Sequence, residues 1–251
     1  MENLDLLIDL HRDGARQGPG SASDTRLAVT LAGLGEASGL QIADIGCGTG
    51  AAALELAQTL DANVTAVDLH PAFLEVLDER AQRDGVADRI TKVAASMDAL
   101  SFDDASFHAI FSEGAIYNMG FAEGIRAWRR LLKPGGILAL SELTWFTAVR
   151  PASLTQYWQE QYPEVGAASA KIAELEAAGY APIGYFALSK RSWLDTYLGP
   201  LQQRFGAFLE RHGHSEAARD VVTEEQAEIA LYERYADYFG YGYFIARRAD
   251  D

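Results

Sequence analysis

From residue 41 to residue 141 the sequence alternates short apolar runs with longer stretches of helical periodicity. The apolar runs have the length of a strand, and the stretches between them repeat apolar residues at intervals of three and four. Strands that alternate with helices in this way form βαβ units, whose strands lie parallel in one sheet. The sequence therefore predicts an α/β fold with a mostly parallel sheet.

The predicted elements continue this pattern over most of the chain. Strands are predicted at residues 41–45, 63–67, 90–93, 108–112, 137–141, 183–188 and 241–247. Helices are predicted at residues 4–11, 22–34, 50–60, 71–83, 121–132 and 168–178. Between the last two strands, apolar residues such as Tyr197, Leu201 and Phe205 recur every four residues, which predicts a helical hairpin inserted before the last strand.

The charge balance argues against a polyanionic partner. The chain has 21 Lys and Arg residues against 36 Asp and Glu residues, a formal net charge of −15. Because contacts from Lys and Arg to phosphate supply most non-specific affinity for nucleic acid, we expect no nucleic-acid and no membrane partner. Arg129, Arg130 and Lys133 form a local basic cluster that fits the solvated last turn of a helix. We therefore expect a small-molecule partner.

Cysteine content and hydropathy favour a cytoplasmic protein. Cys47 is the only cysteine, which excludes an intramolecular disulfide and a cysteine-rich metal site. The first residues are acidic where a signal peptide is basic, and no stretch approaches the ~20 apolar residues of a membrane-spanning helix. His212 and His214 lie two residues apart near a predicted helix end and do not face one site, so we expect no metal.

A glycine-rich loop follows the first predicted strand and precedes a predicted helix. Glycines at 46, 48 and 50 allow the backbone to turn sharply and to approach a ligand closely. The spacing Gly46-x-Gly48-x-x-Ala51 also satisfies the dinucleotide-binding pattern. An NAD(P)-dependent oxidoreductase is therefore an open alternative on the loop alone.

Two acidic residues flank this loop at the ends of neighbouring strands. Asp68 ends the second predicted strand, where a carboxylate can accept both ribose hydroxyls of a bound nucleoside. Asp44 lies inside the first strand, just before the first glycine, and suits an aminoacyl ammonium group while repelling a pyrophosphate. The pair favours an aminoacyl nucleoside over a dinucleotide.

Four motifs in order identify a family resemblance. They are Asp-Ile-Gly-Cys-Gly-Thr-Gly at 44–50, Ala-Val-Asp at 66–68, Phe-Asp-Asp-Ala-Ser-Phe-His-Ala-Ile-Phe-Ser at 102–112, and Leu-Lys-Pro-Gly-Gly-Ile-Leu at 132–138. This series resembles the class I S-adenosylmethionine-dependent methyltransferases, and within them the ubiquinone/menaquinone-biosynthesis-type group. Segments 16–21, 112–118 and 238–244 resemble bacterial members of that group whose substrate is unassigned.

The resemblance implies a Rossmann-like sheet of seven strands with the last strand antiparallel, and methyl transfer from S-adenosylmethionine to a small molecule. We expect one domain over residues 1–251, with an N-terminal helical cap at 1–35, a cofactor-binding core at 40–143 and the helical insertion at 190–239, which departs from the minimal fold of the family. A non-catalytic S-adenosylmethionine-binding protein stays open as an alternative. A homodimer is also possible, with the tyrosines near the end of the chain as a candidate contact.

The resemblance also assigns cofactor contacts. Ser96, Met97 and Asp98 occupy the positions that meet the adenine, and Glu113 lies where the methionine part of the cofactor meets the substrate. The N-terminal segment, which contains Arg16 and Gln17, lies across the cofactor cleft in relatives, so we expect these two residues to close over the cofactor. The full set of predicted contacts is Arg16, Gln17, Asp44, Gly46, Cys47, Gly48, Asp68, Leu69, Ser96, Met97, Asp98 and Glu113.

We predict the acceptor pocket between loops 113–120 and 142–147, under the inserted helices of residues 192–238. Both loops leave the carboxyl ends of central strands, where ligands bind in open α/β sheets. Tyr117, Asn118 and Trp145 then offer two aromatic walls and one amide, which favours a small, partly flat or apolar acceptor. Glu113, Glu142 and Tyr117 are the candidate catalytic groups, and the sequence does not choose among them.

Overall fold

The computed structural model describes residues 2–250 and has one central sheet. Its strands are β1 (Leu40–Ile45), β2 (Ala62–Asp68), β3 (Ile90–Ala94), β4 (Phe107–Glu113), β5 (Leu132–Trp145), β6 (Gly166–Ala167), β7 (Tyr180–Ala187) and β8 (Phe239–Arg248). The order across the sheet is β3, β2, β1, β4, β5, β8, β7, and the short β6 pairs with the end of β5. Strands β1 to β5 pair in parallel, and β8 is antiparallel to both neighbours. The predicted Rossmann-like sheet is confirmed.

Helices cover the sheet and its carboxyl edge. They are α1 (Glu2–Arg12), α2 (Ala22–Ala32), α3 (Ala51–Thr59), α4 (Pro71–Arg83), α5 (Phe121–Arg129), α6 (Ala152–Gln161), α7 (Ala168–Ala177), α8 (Lys190–Trp193), α9 (Gly199–Arg211) and α10 (Glu216–Tyr235). A π-helical turn at Leu194–Leu198 joins α8 to α9. Helices α8 to α10 lie between β7 and β8, so the predicted insertion before the last strand is confirmed. The sequence did not predict α6 and β6.

Local side chains set several helix boundaries. The hydroxyl of Ser21 accepts a hydrogen bond from the Asp24 backbone N–H and caps α2, as its sequence position predicts. Gly33 adopts φ +68° and ends that helix before the predicted residue 34. Helix α5 ends at Arg129 and not at residue 132, because Leu132 already pairs with Phe107 in the sheet.

Both faces of the central parallel strands β1, β4 and β5 are buried, as expected of strands covered by helices on each side. Ile42 of β1 joins the core cluster that contains Leu56 of α3. Ile45, on the opposite face, joins the cluster that contains Phe121 and Trp128 of α5. This packing fixes the carboxyl ends of β1, β2 and β4 next to one another at a single edge.

The N-terminal helix packs against the inserted helices. Helix α1 contacts α9 and α10. The Arg204 guanidinium donates to the Leu10 carbonyl at 3.2 Å, and the Asp9 carboxylate accepts from Arg211 and from the His212 ring. Along residues 2–250, none of the helices combines the length and apolar character needed to span a bilayer.

Candidate active site

A cavity of about 640 Å³ lies at the carboxyl edge of the sheet. Its walls come from the loops after β1, β2, β3 and β4, from the N-terminal segment, and from α1 and α10. The structure brings all of the predicted cofactor contacts to this one cavity, namely Arg16, Gln17, Asp44, Gly46, Cys47, Gly48, Asp68, Leu69, Ser96, Met97, Asp98 and Glu113.

The glycine loop after β1 requires glycine for two physical reasons. Gly46 and Gly48 have φ values of +76° and +54°, a region that side chains other than glycine rarely adopt. A Cβ on Gly46 would lie 2.3 Å from the Ala115 Cβ, and one on Gly48 would lie 2.3 Å from the Gln17 Oε1. The loop is therefore packed tightly between the β4 loop and the N-terminal segment.

Asp68, at the end of β2, holds the loop and still faces the cavity. Its Oδ2 accepts from the Gly48 backbone N–H at 2.8 Å, and its Oδ1 accepts from the His70 backbone N–H at 2.9 Å. Each carboxylate oxygen carries a second lone pair, so both remain able to accept a hydroxyl of a ligand. The arrangement fits a vicinal diol.

Asp44 is buried at the end of β1, with 1% of its surface exposed. Its Oδ2 has no hydrogen-bond partner among residues 2–250. Burial raises the pKa of Asp44 to about 8, and the negative charge of Glu113 adds to the rise. A buried acceptor of this kind is satisfied by a ligand that brings a cationic donor.

Glu113, at the end of β4, is fully engaged by protein donors. Its Oε2 accepts from Arg16 at 2.5 Å, and its Oε1 accepts from the Thr25 hydroxyl at 2.7 Å and the Tyr243 hydroxyl at 3.0 Å. The side chains of Arg16 and Glu113 are 10% and 7% exposed, so the ion pair is shielded from water. A carboxylate held this way organises the site and is poorly placed to remove a proton.

The N-terminal segment is tied to the glycine loop. Gln17 Oε1 accepts from the Thr49 backbone N–H at 2.8 Å, while its Nε2 donates to the carbonyls of His11 and Gly14. Farther along, the Gly20 backbone N–H donates to a carbonyl of α8. The segment thus bridges the glycine loop and the inserted helices across the cavity.

The rest of the cavity lies between the β4 loop, α1, the π-helical turn and α10. The predicted acceptor residues Tyr117 and Asn118 line it. Sequence reasoning missed the others, which are Leu4, Leu7, Ile8, His11, Met119, Tyr197, Glu225, Glu228 and Tyr241. One signal was available: Glu225 falls in phase with Val222, Ile229 and Tyr232, so a charged side chain occupies the buried face of α10.

Trp145 and Glu142 do not line this cavity, which corrects the predicted pocket. Strand β5 continues to Trp145 because β8 pairs with it as far as Phe239, so no loop begins at residue 142. Trp145 is 8% exposed, stacks under the Arg150 guanidinium and borders a separate, smaller pocket. Glu142 is buried outside the lining but near enough for its charge to act on Tyr117 and Tyr241; burial raises its pKa to about 7 and Lys171 opposes the rise.

The sheet order, the glycine loop and the two aspartates together define a class. The chain has the fold of the class I S-adenosylmethionine-dependent methyltransferases. Residues 42–136 match the family described as a methyltransferase domain, and the resemblance drawn from the motifs is confirmed.

Particular relatives agree with that class. The chain is 30% identical over 177 residues to the ubiquinone/menaquinone biosynthesis C-methyltransferase UbiE of Brucella anthropi, covering 68% of this chain and 61% of that protein. It is 32% identical over 154 residues to 27-O-demethylrifamycin SV methyltransferase of Amycolatopsis mediterranei, covering 61% and 56%. The match spans 27% to 61% of the length of such curated relatives, less than two thirds.

A solved structure extends the likeness to nearly the whole chain. The S-adenosylmethionine-dependent methyltransferase from Geobacter sulfurreducens, in complex with S-adenosylhomocysteine, superposes with a TM-score of 0.82 at 21% identity. The superposition covers 98% of this chain and 97% of that one. The inserted helices therefore belong to an architecture that occurs in other proteins of this fold.

Proposed function

We propose that this chain is an enzyme that transfers a methyl group from S-adenosylmethionine to a small molecule. The observation that carries the proposal is Asp44, a buried carboxylate at the cavity wall with an oxygen that has no hydrogen-bond partner among the described residues. An α-ammonium group supplies both the charge and the donors that this oxygen lacks. The methyltransferase relatives support the same conclusion.

The remaining residues fit the rest of the cofactor. The oxygens of Asp68 that face the cavity would accept the two ribose hydroxyls, and Ser96, Met97 and Asp98 would contact the adenine. Arg16 and Gln17 would close the N-terminal segment over it. When bound, S-adenosylmethionine supplies an electrophilic methyl group on a sulfonium, which is already a good leaving group.

The protein then has to orient the acceptor and exclude water. Alignment of two reactants in one site can supply about 7–11 kcal/mol of the barrier. Tyr117 and Asn118 line the part of the cavity between the β4 loop, α1 and α10, which we assign to the acceptor and call the acceptor side, and Tyr117 remains a candidate for contact with the reacting group. Hydrogen bonds from Arg16, Thr25 and Tyr243 hold Glu113 in the site, and we assign it a positioning role and not that of a base.

The proposal also covers the location of the protein and the roles of its N-terminal and inserted helices. A cytoplasmic location agrees with Cys47 being a buried free thiol, since free thiols are typical of reducing compartments. We propose that residues 1–35 act as a cap and that the insertion at 190–239 covers the acceptor. The homodimer and the absence of a nucleic-acid partner stay predictions.

Calorimetric titration with S-adenosylmethionine, S-adenosylhomocysteine and NAD tests the proposal. The two adenosyl ligands should bind and NAD should not, because its pyrophosphate would approach Asp44. Asp44→Asn should weaken both adenosyl ligands, whereas Glu36→Gln, an exposed acid at the opposite end of β1, should change neither. Binding of NAD without binding of S-adenosylhomocysteine would contradict the proposal.

A further inference from the structure

Helix α10 presents two carboxylates to the acceptor side of the cavity. Glu225 and Glu228 are three residues apart, which places them on one face of the helix. The Glu225 side chain is 10% exposed, and its Oε1 lies 3.0 Å from the His11 Nε2. Its Oε2 has no hydrogen-bond partner within the described chain. The buried face of α10 therefore holds an unsatisfied anion at the cavity wall.

His11 adds a second unsatisfied atom at the same place. Its side chain is 9% exposed, and Nδ1 has no partner in the part of the chain that the structure describes. In the tautomer that donates Nε2–H to Glu225, Nδ1 keeps a lone pair and is an acceptor. Glu225 Oε2, His11 Nδ1 and the Glu228 carboxylate thus call for a ligand rich in donors.

The excess of carboxylates on the cavity wall also favours a ligand that is a hydrogen-bond donor and carries a positive charge. Among the described residues that line it, Arg16 is the only Lys or Arg, and Glu113 already pairs with it. The carboxylates on the wall are Asp44, Asp68, Asp98, Glu113, Glu225 and Glu228. A carboxylate or phosphate on the acceptor would be repelled in a site of this composition.

Aromatic rings complete the acceptor side. Tyr197 and Tyr241 are buried, and the His11 ring stacks on Tyr197 with centroids 6.2 Å apart. Burial raises the pKa of both tyrosines well above its ordinary value, and the charge of Glu228 adds to each rise. The rings therefore stay neutral, and their faces attract a cation. Tyr197 lies in the π-helical turn, a geometry that is frequent at functional sites.

We propose, on the basis of the methyl-transfer function above, that the acceptor is a small amine held as its ammonium ion by Glu225, Glu228 and His11. The apolar side chains of Leu4, Leu7 and Ile8 line the same side and would contact the rest of the molecule. The acceptor is thus an amine with an apolar body, which adds a positive charge to the small, partly flat or apolar acceptor expected from the sequence.

Methyl transfer to such an acceptor requires one proton to leave. The ammonium gives a proton to Glu228, whose pKa is raised to about 7 by burial and by the charge of Glu225. The freed nitrogen lone pair forms the N–C bond while the C–S bond breaks, and that bonding pair stays on sulfur. The sulfonium becomes a neutral thioether, the nitrogen becomes an N-methylammonium, and Glu228 releases its proton to solvent.

Matched ligands test this assignment on the protein loaded with S-adenosylhomocysteine. Phenethylamine and hexylamine should bind at least ~10-fold more tightly than 2-phenylethanol and hexanol, because each charge-assisted hydrogen bond contributes about that factor. Incubation with S-adenosylmethionine should methylate the amines on nitrogen, as mass spectrometry would detect. Equal binding of amine and alcohol, or a bound amine that stays unmethylated, would overturn the assignment.

Substitutions on helix α10 test whether its two carboxylates bind the amine. Glu228→Gln and Glu225→Gln should each raise the KM of the amine about 10-fold to 100-fold and reduce the preference for amine over alcohol. Glu228→Gln should also lower kcat, because it removes the group that accepts the proton. Glu224→Gln, on the exposed side of the same helix, is the matched control and should behave as the parent. An unchanged amine KM in the folded Glu228→Gln protein would also overturn the assignment.

The same titrations separate this inference from the proposed function. Absence of S-adenosylhomocysteine binding contradicts the methyl-transfer function itself. Normal S-adenosylhomocysteine binding together with turnover of alcohols or carboxylates, but not amines, contradicts the amine assignment alone.

Discussion

At the scale of single residues, the buried carboxyl of Asp44 lowers the stability of the ligand-free protein while it provides an acceptor for the cofactor. Its pKa in the folded protein, about 8, lies above the unfolded value of about 3.9. The native state therefore binds this proton more tightly than the unfolded state, and the group destabilises the protein as pH rises from about 4 to 8. Cofactor binding would relieve the penalty by supplying a cation.

Asp44→Asn should raise the melting temperature of the ligand-free protein more at pH 8 than at pH 5. The amide has no charge to desolvate, so the penalty that grows between these pH values is absent. The difference should be at least about 2–4 °C, the shift that ~1 kcal/mol produces in a domain of this size. Thermal unfolding at both pH values measures it, and an equal gain at pH 5 and pH 8 would contradict the assignment of the raised pKa.

Asp68→Ala should weaken S-adenosylhomocysteine binding about 10-fold to 100-fold. The variant loses the acceptor for the ribose hydroxyls and for the backbone N–H groups of Gly48 and His70. Asp68→Asn should lose less, because the amide keeps one acceptor oxygen. Calorimetry on folded protein measures both, with the exposed Asp88→Ala as control. If Asp68→Ala binds as the parent does, the ribose lies elsewhere.

Tyr117→Ala and Trp145→Ala should separate function from packing. Tyr117 is 44% exposed at the cavity, so its loss should raise the acceptor KM and leave S-adenosylhomocysteine affinity unchanged. Trp145 is buried outside the cavity, and its loss should cost about 3–5 kcal/mol of stability with no change in KM. Steady-state kinetics and chemical denaturation distinguish the two. A KM effect of Trp145→Ala would return that residue to the acceptor site.

At the scale of elements, the segment between α1 and α2 is held at both ends across the cavity. Gln17→Ala removes hydrogen bonds to Thr49, His11 and Gly14 at once. Cofactor dissociation should accelerate roughly 10-fold, because the segment opens more easily and the predicted contact of Gln17 with the cofactor is lost, while Asp44 and Asp68 still hold the ligand. Stopped-flow release of S-adenosylhomocysteine measures the rate, with the exposed Gln58→Ala as control. An unchanged rate would show that the segment does not gate the site.

Strand β5 shows what the sequence could and could not predict about an element. Its central residues 137–141 are uniformly apolar or small, and their existence as a strand follows from composition and from the preceding Pro-Gly-Gly turn. Its end at Trp145 follows from pairing with β8, which begins at Phe239. That register is set by a strand far along the chain, so the predicted loop at 142–147 and the place of Trp145 were wrong.

At the scale of the whole molecule, the excess of acidic residues should guide a cationic acceptor to the cavity. The formal net charge is −15, and the acceptor side carries carboxylates without free Lys or Arg among the described lining residues. The kcat/KM of an amine acceptor should therefore fall as salt rises, since the Debye length shrinks to about 10 Å at 0.1 M. Kinetics in increasing sodium chloride, with a neutral acceptor analogue as comparison, measure this. A flat salt profile would argue against a cationic acceptor.

The two halves of the cavity differ in how far the sequence predicted them. Asp44, Asp68 and the glycines were found because strand ends in a parallel sheet meet at one edge, so positions along the sequence translate directly into a site. His11 and Glu225 form their contact across 214 positions, and no local pattern joins them. The acceptor side depends on how α1 packs against α10, which only the tertiary structure reveals.

The position of β8 also bears on the order in which the sheet assembles during folding. Strand β8 follows every other strand of the sheet in the chain, yet it fills an interior place between β5 and β7 and supplies Tyr241 and Tyr243 to the site. Until β8 pairs with it, β5 presents an open edge with unpaired backbone groups. The pocket is therefore completed only when β8 inserts between β5 and β7, so a folding intermediate with only the parallel part of the sheet cannot hold the intact site.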